Sequence, residues 1–166
     1  MMIIEFIKTA LTIPSSINGL LAGRVAYKAT VQLKMDISTY MTRGITKVNK
    51  VLDSATPLQR KQAFQEFKKW SLPKKNPNAI RKFSVNGCPP VHHVKQLFSV
   101  RKDIATVLST TGVYLDHELR KKLIYLDSRL NDYELSYEHH KNTRFHYARC
   151  FILRTKMRAI KYETGC

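Results

Sequence analysis

The segment from Ser54 to Lys102 is rich in lysine and arginine, side chains that bind anions. This stretch holds eleven lysines and arginines and one acid, Glu66, so it carries +10 of the chain's net charge of +17. Aromatic side chains are interleaved with these bases. A surface this one-sided repels itself unless something anionic lies against it. The pattern therefore predicts binding to a polyanion, in which lysine and arginine contact phosphates without reading sequence.

A second basic segment lies near the C-terminus, where residues 141–161 include seven bases and no acid. Phe64, Phe67 and Trp70 step by three along one helical face, which is more typical of a core than of stacking on bases. We therefore assign only basic residues to nucleic-acid binding. The predicted residues are Arg60, Lys61, Lys68, Lys69, Lys74, Lys75, Arg81, Lys82, Arg101, Lys102, Arg149, Arg154, Lys156 and Arg158.

Histidine and cysteine are the next candidates. His146 and Cys150 are four residues apart and share a helical face, and His139 lies two turns earlier. A zinc site needs about four ligands at matched spacing, and no C-x-x-C or H-E-x-x-H motif is present. We interpret these histidines as surface residues beside an apolar seam. We predict that the protein binds no metal and no other cofactor. A metal site at these three residues is the open alternative.

Motifs of enzyme chemistry are missing from the sequence. The six glycines are scattered, so they form no phosphate-binding loop. The basic segments contain no paired carboxylates for a phosphate-cleaving metal site, and no nucleophile elbow occurs. Asp127 and Asp132 fall beside an apolar seam and are interpreted as solvated positions. We predict that the protein is not an enzyme.

Composition favours one folded domain over residues 1–166. Eight tyrosines, seven phenylalanines and one tryptophan are more aromatic residues than a disordered chain carries. Cys88, Cys150 and Cys166 are three widely spaced cysteines, which do not form a disulfide framework. They indicate free thiols in a reducing, intracellular compartment. The basic, serine- and threonine-containing N-terminal region leaves import into an organelle open.

Apolar periodicity predicts an all-α fold, a helical bundle in which helices position these bases. Residues 1–13 form a short amphipathic helix, and a long helix follows to about Leu52, with Gly44 as a possible break. In the basic middle, residues 54–102, short helices cover Pro57–Ser71, capped by Thr56, and residues 77–85. The helix from Pro57 is expected to bury Ala63, Phe64, Phe67 and Trp70.

Residues 90–163 predict an antiparallel helical hairpin with a basic C-terminal extension. One helix runs from Pro90 to about Thr110, and Asp116 caps the next. The second helix carries a heptad seam whose members step by four and three residues. These are Leu119, Leu123, Leu126, Leu130, Tyr133 and Tyr137. The short connection favours antiparallel packing, and the seam leaves pairing with another protein subunit open.

Two functions follow from these patterns. The first is a non-enzymatic, structural part of a nucleoprotein assembly that binds the phosphate backbone of nucleic acid, with RNA favoured. The alternative is a peripheral membrane protein, or small subunit of a membrane complex, whose N-terminal helix and bases contact anionic lipid. Lipid binding predicts bases beside an apolar stripe on one helix. Nucleic-acid binding predicts a broad cationic face without such a stripe.

Overall fold

The fold of the described chain is all-α, as predicted. A computed structural model describes residues 19–71, 87–111, 115–140 and 145–165, and this part contains six helices and no strand. The helices are α1 (Gly19–Asp53), α2 (Pro57–Ser71), α3 (Val91–Phe98), α4 (Val100–Thr111), α5 (His117–Glu138) and α6 (His146–Glu163). None of these helices is long and apolar enough to cross a membrane. The helices predicted over residues 1–13 and 77–85 lie outside the described residues.

Side-chain caps fix where two of the helices begin. The Gln59 backbone N–H donates to Thr56 Oγ1 (3.2 Å), and the Thr56 N–H donates to Gln59 Oε1 (2.9 Å). This reciprocal pair satisfies donors that the first turn of α2 leaves without helical partners. At α5, Asp116 Oδ1 accepts from the Glu118 N–H at 3.2 Å. Both predicted N-caps are confirmed.

The long helix α1 packs along α6, and Gly44 is the position that permits their close approach. The predicted break at Gly44 was wrong, because α1 continues through it. A Cβ atom at Gly44 would lie only 2.9 Å from Met157 Sδ and 3.2 Å from Met157 Cε. The missing side chain therefore makes room for α6 rather than weakening α1.

The heptad seam of α5 lies in the core. Leu119, Leu123, Leu126, Leu130 and Tyr133 are buried, and Tyr137 is packed against them. The ring of Phe98, at the end of α3, meets Tyr133 and Tyr137 edge-on, with centroids 5.3 and 6.2 Å apart. The end of α3 therefore lies beside the C-terminal part of α5.

One predicted helix is divided in the structure, and a second break in the helical chain follows α5. The helix expected from Pro90 to Thr110 is divided at Ser99, whose hydroxyl donates to the Gln96 carbonyl (2.6 Å). A serine that bonds back to the chain in this way competes with the helical ladder. Further on, α5 ends at Glu138, and His140 adopts a positive φ of 51°. That backbone conformation cannot continue a right-handed helix, so α6 is a separate element.

Candidate functional site

A groove of about 580 Å³ lies where α2, α5 and α6 meet. Its size is within the ~300–1,000 Å³ range of small-ligand sites. The groove combines an apolar, aromatic floor with charged side chains. Its lining residues are Phe67, Trp70, Tyr125, Arg129, Asp132, Phe145, Arg149, Ile152, Leu153, Thr155 and Lys156.

Aromatic contacts hold α2 against α6 and form one wall of the groove. The Trp70 ring meets Phe145 edge-on at 5.3 Å, and Phe67 lies 5.9 Å from Phe151. The prediction that this face of α2 is buried was wrong for Phe64, which is 39% exposed. Phe67 and Trp70 are half-buried, so both remain accessible from the groove. These aromatic side chains are partly exposed because α6 covers only part of this face of α2.

Tyr125 lies at the groove between two cations. Arg129 Nε and Nη2 donate to the Tyr125 hydroxyl at 2.8 and 2.6 Å, and the guanidinium carbon lies 4.9 Å from the ring centroid. Lys156 Nζ lies 5.2 Å from the same centroid. Both cations therefore rest against an aromatic ring, an arrangement that stabilises positive charge without neutralising it.

Arg149 brings a third cation to the groove. Its Nη1 donates to the Asp132 backbone carbonyl (3.3 Å) and to Ser136 Oγ (2.9 Å). Burial lowers the pKa of Arg149, but the guanidinium stays charged because arginine is not deprotonated in proteins. Within the described ranges, no carboxylate lies within 4.0 Å of the charged groups of Arg129, Arg149 or Lys156.

Among the described residues that line the groove, Asp132 is the one acid. Its carboxylate makes no hydrogen bond or ion pair to any described residue. The prediction of a solvated position is correct about its exposure. It missed that Asp132 lines a groove together with Arg129, Arg149 and Lys156.

The remaining predicted bases of α6 lie on the side toward α1. Arg154 Nη1 donates to Asn49 Oδ1 of α1 at 3.1 Å, and its guanidinium lies 5.0 Å from the Phe151 centroid. Burial and then repulsion by Arg158 lower the pKa of Arg154. Arg158 itself is exposed. The α6 bases are thus divided between two faces of one helix.

The predicted bases of α2 have carboxylate neighbours that the sequence argument undercounted. Arg60 Nη1 lies 3.7 Å from Asp53 Oδ1 of α1, and Lys69 Nζ lies 3.8 Å from Glu66 Oε1. Glu66, the single acid of the basic middle, is buried with 1% exposure. Lys61 and Lys68 are exposed. Lys74, Lys75, Arg81 and Lys82 lie outside the described residues.

Arg101 is held in two partly buried ion pairs between α4 and α5. Its Nε lies 3.1 Å from Asp127 Oδ1 and its Nη1 lies 2.7 Å from Glu134 Oε2, both on α5. The bond to Glu134 is the main cause that raises the pKa of Arg101. We therefore remove Arg101 from the candidate surface, whereas Lys102 is exposed on α4.

The interpretation of His146 as a surface residue was wrong. His146 is fully buried, 5.3 Å from both the Tyr133 and Tyr137 ring centroids, and neither ring nitrogen has a hydrogen-bond partner. Burial lowers its pKa to about 4. Cys150 is also buried, and burial raises its thiol pKa to about 12. His139 is exposed, so the three candidate ligands are not alike in environment.

No group of three or more histidine, cysteine or acidic side chains forms a potential metal site in the described part of the chain. The predicted metal alternative at His139, His146 and Cys150 therefore has no geometric support there.

Sequence reasoning missed the groove residues Tyr125, Arg129, Asp132 and Phe145. A signal for three of them was present, because residues 125, 129 and 132 step by four and three beside the apolar seam. This spacing places them in one row along α5. The spacing does not predict which other helix this row of residues faces.

Comparison with known proteins adds no functional assignment. No protein-family model, curated protein or solved structure matches the chain. The function must therefore be inferred from geometry and charge.

Proposed function

We propose that the protein is a non-enzymatic nucleic-acid-binding protein, with RNA favoured, that contacts phosphates along the α2–α6 side of the bundle. It acts as a structural component of a nucleoprotein assembly. The observation that carries this proposal is the groove in which Arg129, Arg149 and Lys156 converge beside aromatic rings without pairing to a carboxylate.

Charge distribution supports this assignment. In α2 and α6 together there are nine bases and two acids, of which Glu66 is buried. Lys61 on α2 and Arg158 on the α1-facing side of α6 are also exposed, so the cationic surface is not confined to the groove. Lysine and arginine at such a surface bind phosphate and release counterions, so affinity depends steeply on salt.

The direct test is RNA binding by an Arg149→Gln, Lys156→Gln double variant. Binding of a short labelled single-stranded RNA is followed by fluorescence anisotropy at several salt concentrations. If each residue contacts one phosphate, the slope of log affinity against log salt falls in magnitude by up to about 1.4. The affinity at low salt falls for every RNA sequence alike.

A matched control removes the same charge elsewhere. Lys28→Gln with Lys95→Gln changes two exposed lysines on α1 and α3 that do not line the groove. We expect a small loss of affinity from the lower net charge. A loss equal to that of the groove variant would mean that only net charge matters. No RNA binding by the unaltered protein would refute the proposal.

A second candidate, binding to anionic membranes, is favoured by the outer face of α1. Tyr27, Val31 and Met35 recur every four residues and are 71%, 39% and 49% exposed. Arg24 and Lys28 are exposed on the same face, opposite the buried Ala29 and Leu33. This is the adjacent apolar and basic pattern that interfacial helices use.

Vesicle binding separates the two candidates. Tyr27→Ser with Met35→Ser should abolish binding to anionic phospholipid vesicles if α1 inserts at the interface, and should leave RNA binding unchanged. The groove variant Arg149→Gln, Lys156→Gln should then keep vesicle binding. Vesicle binding by the unaltered protein without RNA binding would replace the first function with the second.

A further inference from the structure

We infer that the groove between α2, α5 and α6 holds an unpaired nucleobase, and that Asp132 favours bases that present an amino group. This inference rests on the proposed nucleic-acid binding and makes it more specific. It assigns single-stranded rather than duplex nucleic acid as the preferred ligand and names the side chain that discriminates between bases.

The groove has the shape and lining that a base requires. A cationic surface alone would serve a phosphate backbone, which needs no concavity. Here the cations line a cavity of about 580 Å³ together with Trp70, Tyr125, Phe145, Ile152 and Leu153. Stacking on aromatic rings is open to unpaired bases but not to bases in the interior of a duplex.

Phosphate contacts are available next to this aromatic lining. Arg149, Arg129 and Lys156 all line the same groove. Lys156 and Arg129 rest on the Tyr125 ring, where no carboxylate holds them, so a phosphate can take them over without breaking an ion pair. A base in the groove would therefore carry its own phosphate toward the cations.

Asp132 is the feature that phosphate binding does not explain. Its carboxylate repels phosphate, yet Asp132 lines the same groove as Arg129, Arg149 and Lys156 and forms no ion pair with a described residue. A carboxylate accepts hydrogen bonds from N–H groups and makes specific contacts with the cytosine amino group. Uracil offers only one N–H on the corresponding edge, flanked by two carbonyl oxygens that a carboxylate repels. Asp132 therefore predicts a preference for cytosine over uracil, two bases of nearly the same shape.

Trp70 provides a direct readout because it is the single tryptophan of the chain. Titration with oligocytidine should quench its fluorescence, since a stacked base lies against the ring. Inorganic polyphosphate, which carries charge but no base, should compete for binding without quenching. Equal quenching by polyphosphate would overturn base stacking in the groove.

Asp132→Asn tests the discrimination. The unaltered protein should bind oligocytidine about tenfold more tightly than oligouridine of equal length, the effect of one good polar contact. In the variant this ratio should fall toward one, because an amide both donates and accepts. Glu138→Gln removes the same charge from an exposed position outside the groove. It should raise both affinities and keep the ratio.

The outcomes separate this inference from the proposed function. RNA binding with a ratio near one in the unaltered protein, or a ratio that survives Asp132→Asn, would refute the role of Asp132 and leave phosphate binding intact. If the unaltered protein bound no RNA at all, both the proposed function and this inference would be refuted. A change in Trp70 fluorescence with oleate and none with oligocytidine would assign the groove to an anionic amphiphile instead. Circular dichroism of each variant verifies that the helices are retained.

Discussion

The pair α4–α5 and the pair α2–α6 are built alike but use their charges differently. In α4 and α5, six bases are matched by six acids, and Arg101 bridges the helices through Asp127 and Glu134. In α2 and α6, nine bases face two acids. There, Arg149 and Arg154 bond to a carbonyl, a hydroxyl and an amide rather than to carboxylates.

Whether an arginine joins two helices or keeps its charge available therefore depends on the carboxylates that its helix packs against. An ion pair across two helices fixes their register, whereas a cation held by neutral acceptors keeps its charge available. Arg129 and Asp132 mark the boundary, because they belong to α5 but line the groove with α6. The balanced pair is therefore the half joined by Arg101, and the cationic pair is the half that the proposed phosphate binding would use.

The two helix pairs should behave alike in the core, where both depend on the same apolar contacts. Leu126 of α5 and Leu153 of α6 are 0% and 2% exposed. Replacing either by alanine should lower the free energy of unfolding by about 2–5 kcal/mol, measured by urea denaturation. Ile124→Ala, at a position 50% exposed, is the control and should cost far less. If one replacement lowered the free energy of unfolding within this range and the other fell well outside it, the two helix pairs would have separate cores.

Low pH should destabilise the contact between the two helix pairs, where His146 of α6 packs on Tyr133 and Tyr137 of α5. The folded protein holds the pKa of His146 at about 4, below its ordinary value of 6.5. The unfolded chain therefore binds the proton more readily between these values. Stability is fully present above about pH 6.5 and is lost as the pH falls toward 4, by on the order of 3 kcal/mol from this residue.

His146→Phe tests this pH dependence, because phenylalanine can pack between the tyrosines but cannot be protonated. Urea midpoints are compared at neutral pH and at about pH 4.5, within the window set by the two pKa values. The variant should lose distinctly less stability than the unaltered protein over this interval. An identical loss in both proteins would assign the acid sensitivity to carboxylates instead.

Removing one positive charge from each helix pair should affect stability in the α4–α5 pair and RNA affinity in the α2–α6 pair. Arg101→Gln breaks two partly buried ion pairs and should cost about 1 kcal/mol of stability with little effect on RNA affinity. Arg149→Gln should weaken RNA binding and lower its salt dependence. Both variants are measured by urea denaturation and by anisotropy. A larger loss of affinity from Arg101→Gln would reverse the assignment of the two pairs.

The smallest effect is expected at the surface of the balanced pair. Lys121 Nζ lies 3.4 Å from Glu118 Oε1 in an exposed ion pair one turn apart on α5. Lys121→Gln should change the free energy of unfolding by less than about 0.5 kcal/mol and leave RNA affinity nearly unchanged. A clear fall in affinity would extend the binding surface onto α5 beyond the groove.

The all-α class, two of the helix N-caps and the buried seam of α5 follow from the sequence alone. These depend on residues within a few turns of one another, such as Thr56 with Gln59 and Asp116 with Glu118. Apolar periodicity likewise predicts which face of a helix is buried. The excess of bases in α2 and α6 is a matter of composition and was also evident from the sequence.

Only the tertiary structure decided what each charged or small residue meets. Arg101 reaches acids 26 and 33 residues away, and Gly44 makes room for Met157. His146 is buried because α5 turns its tyrosines toward it. The groove depends on how three helices converge, which no local pattern encodes. Periodicity fixes the face of a single helix, but the partner of that face depends on the packing of the whole bundle.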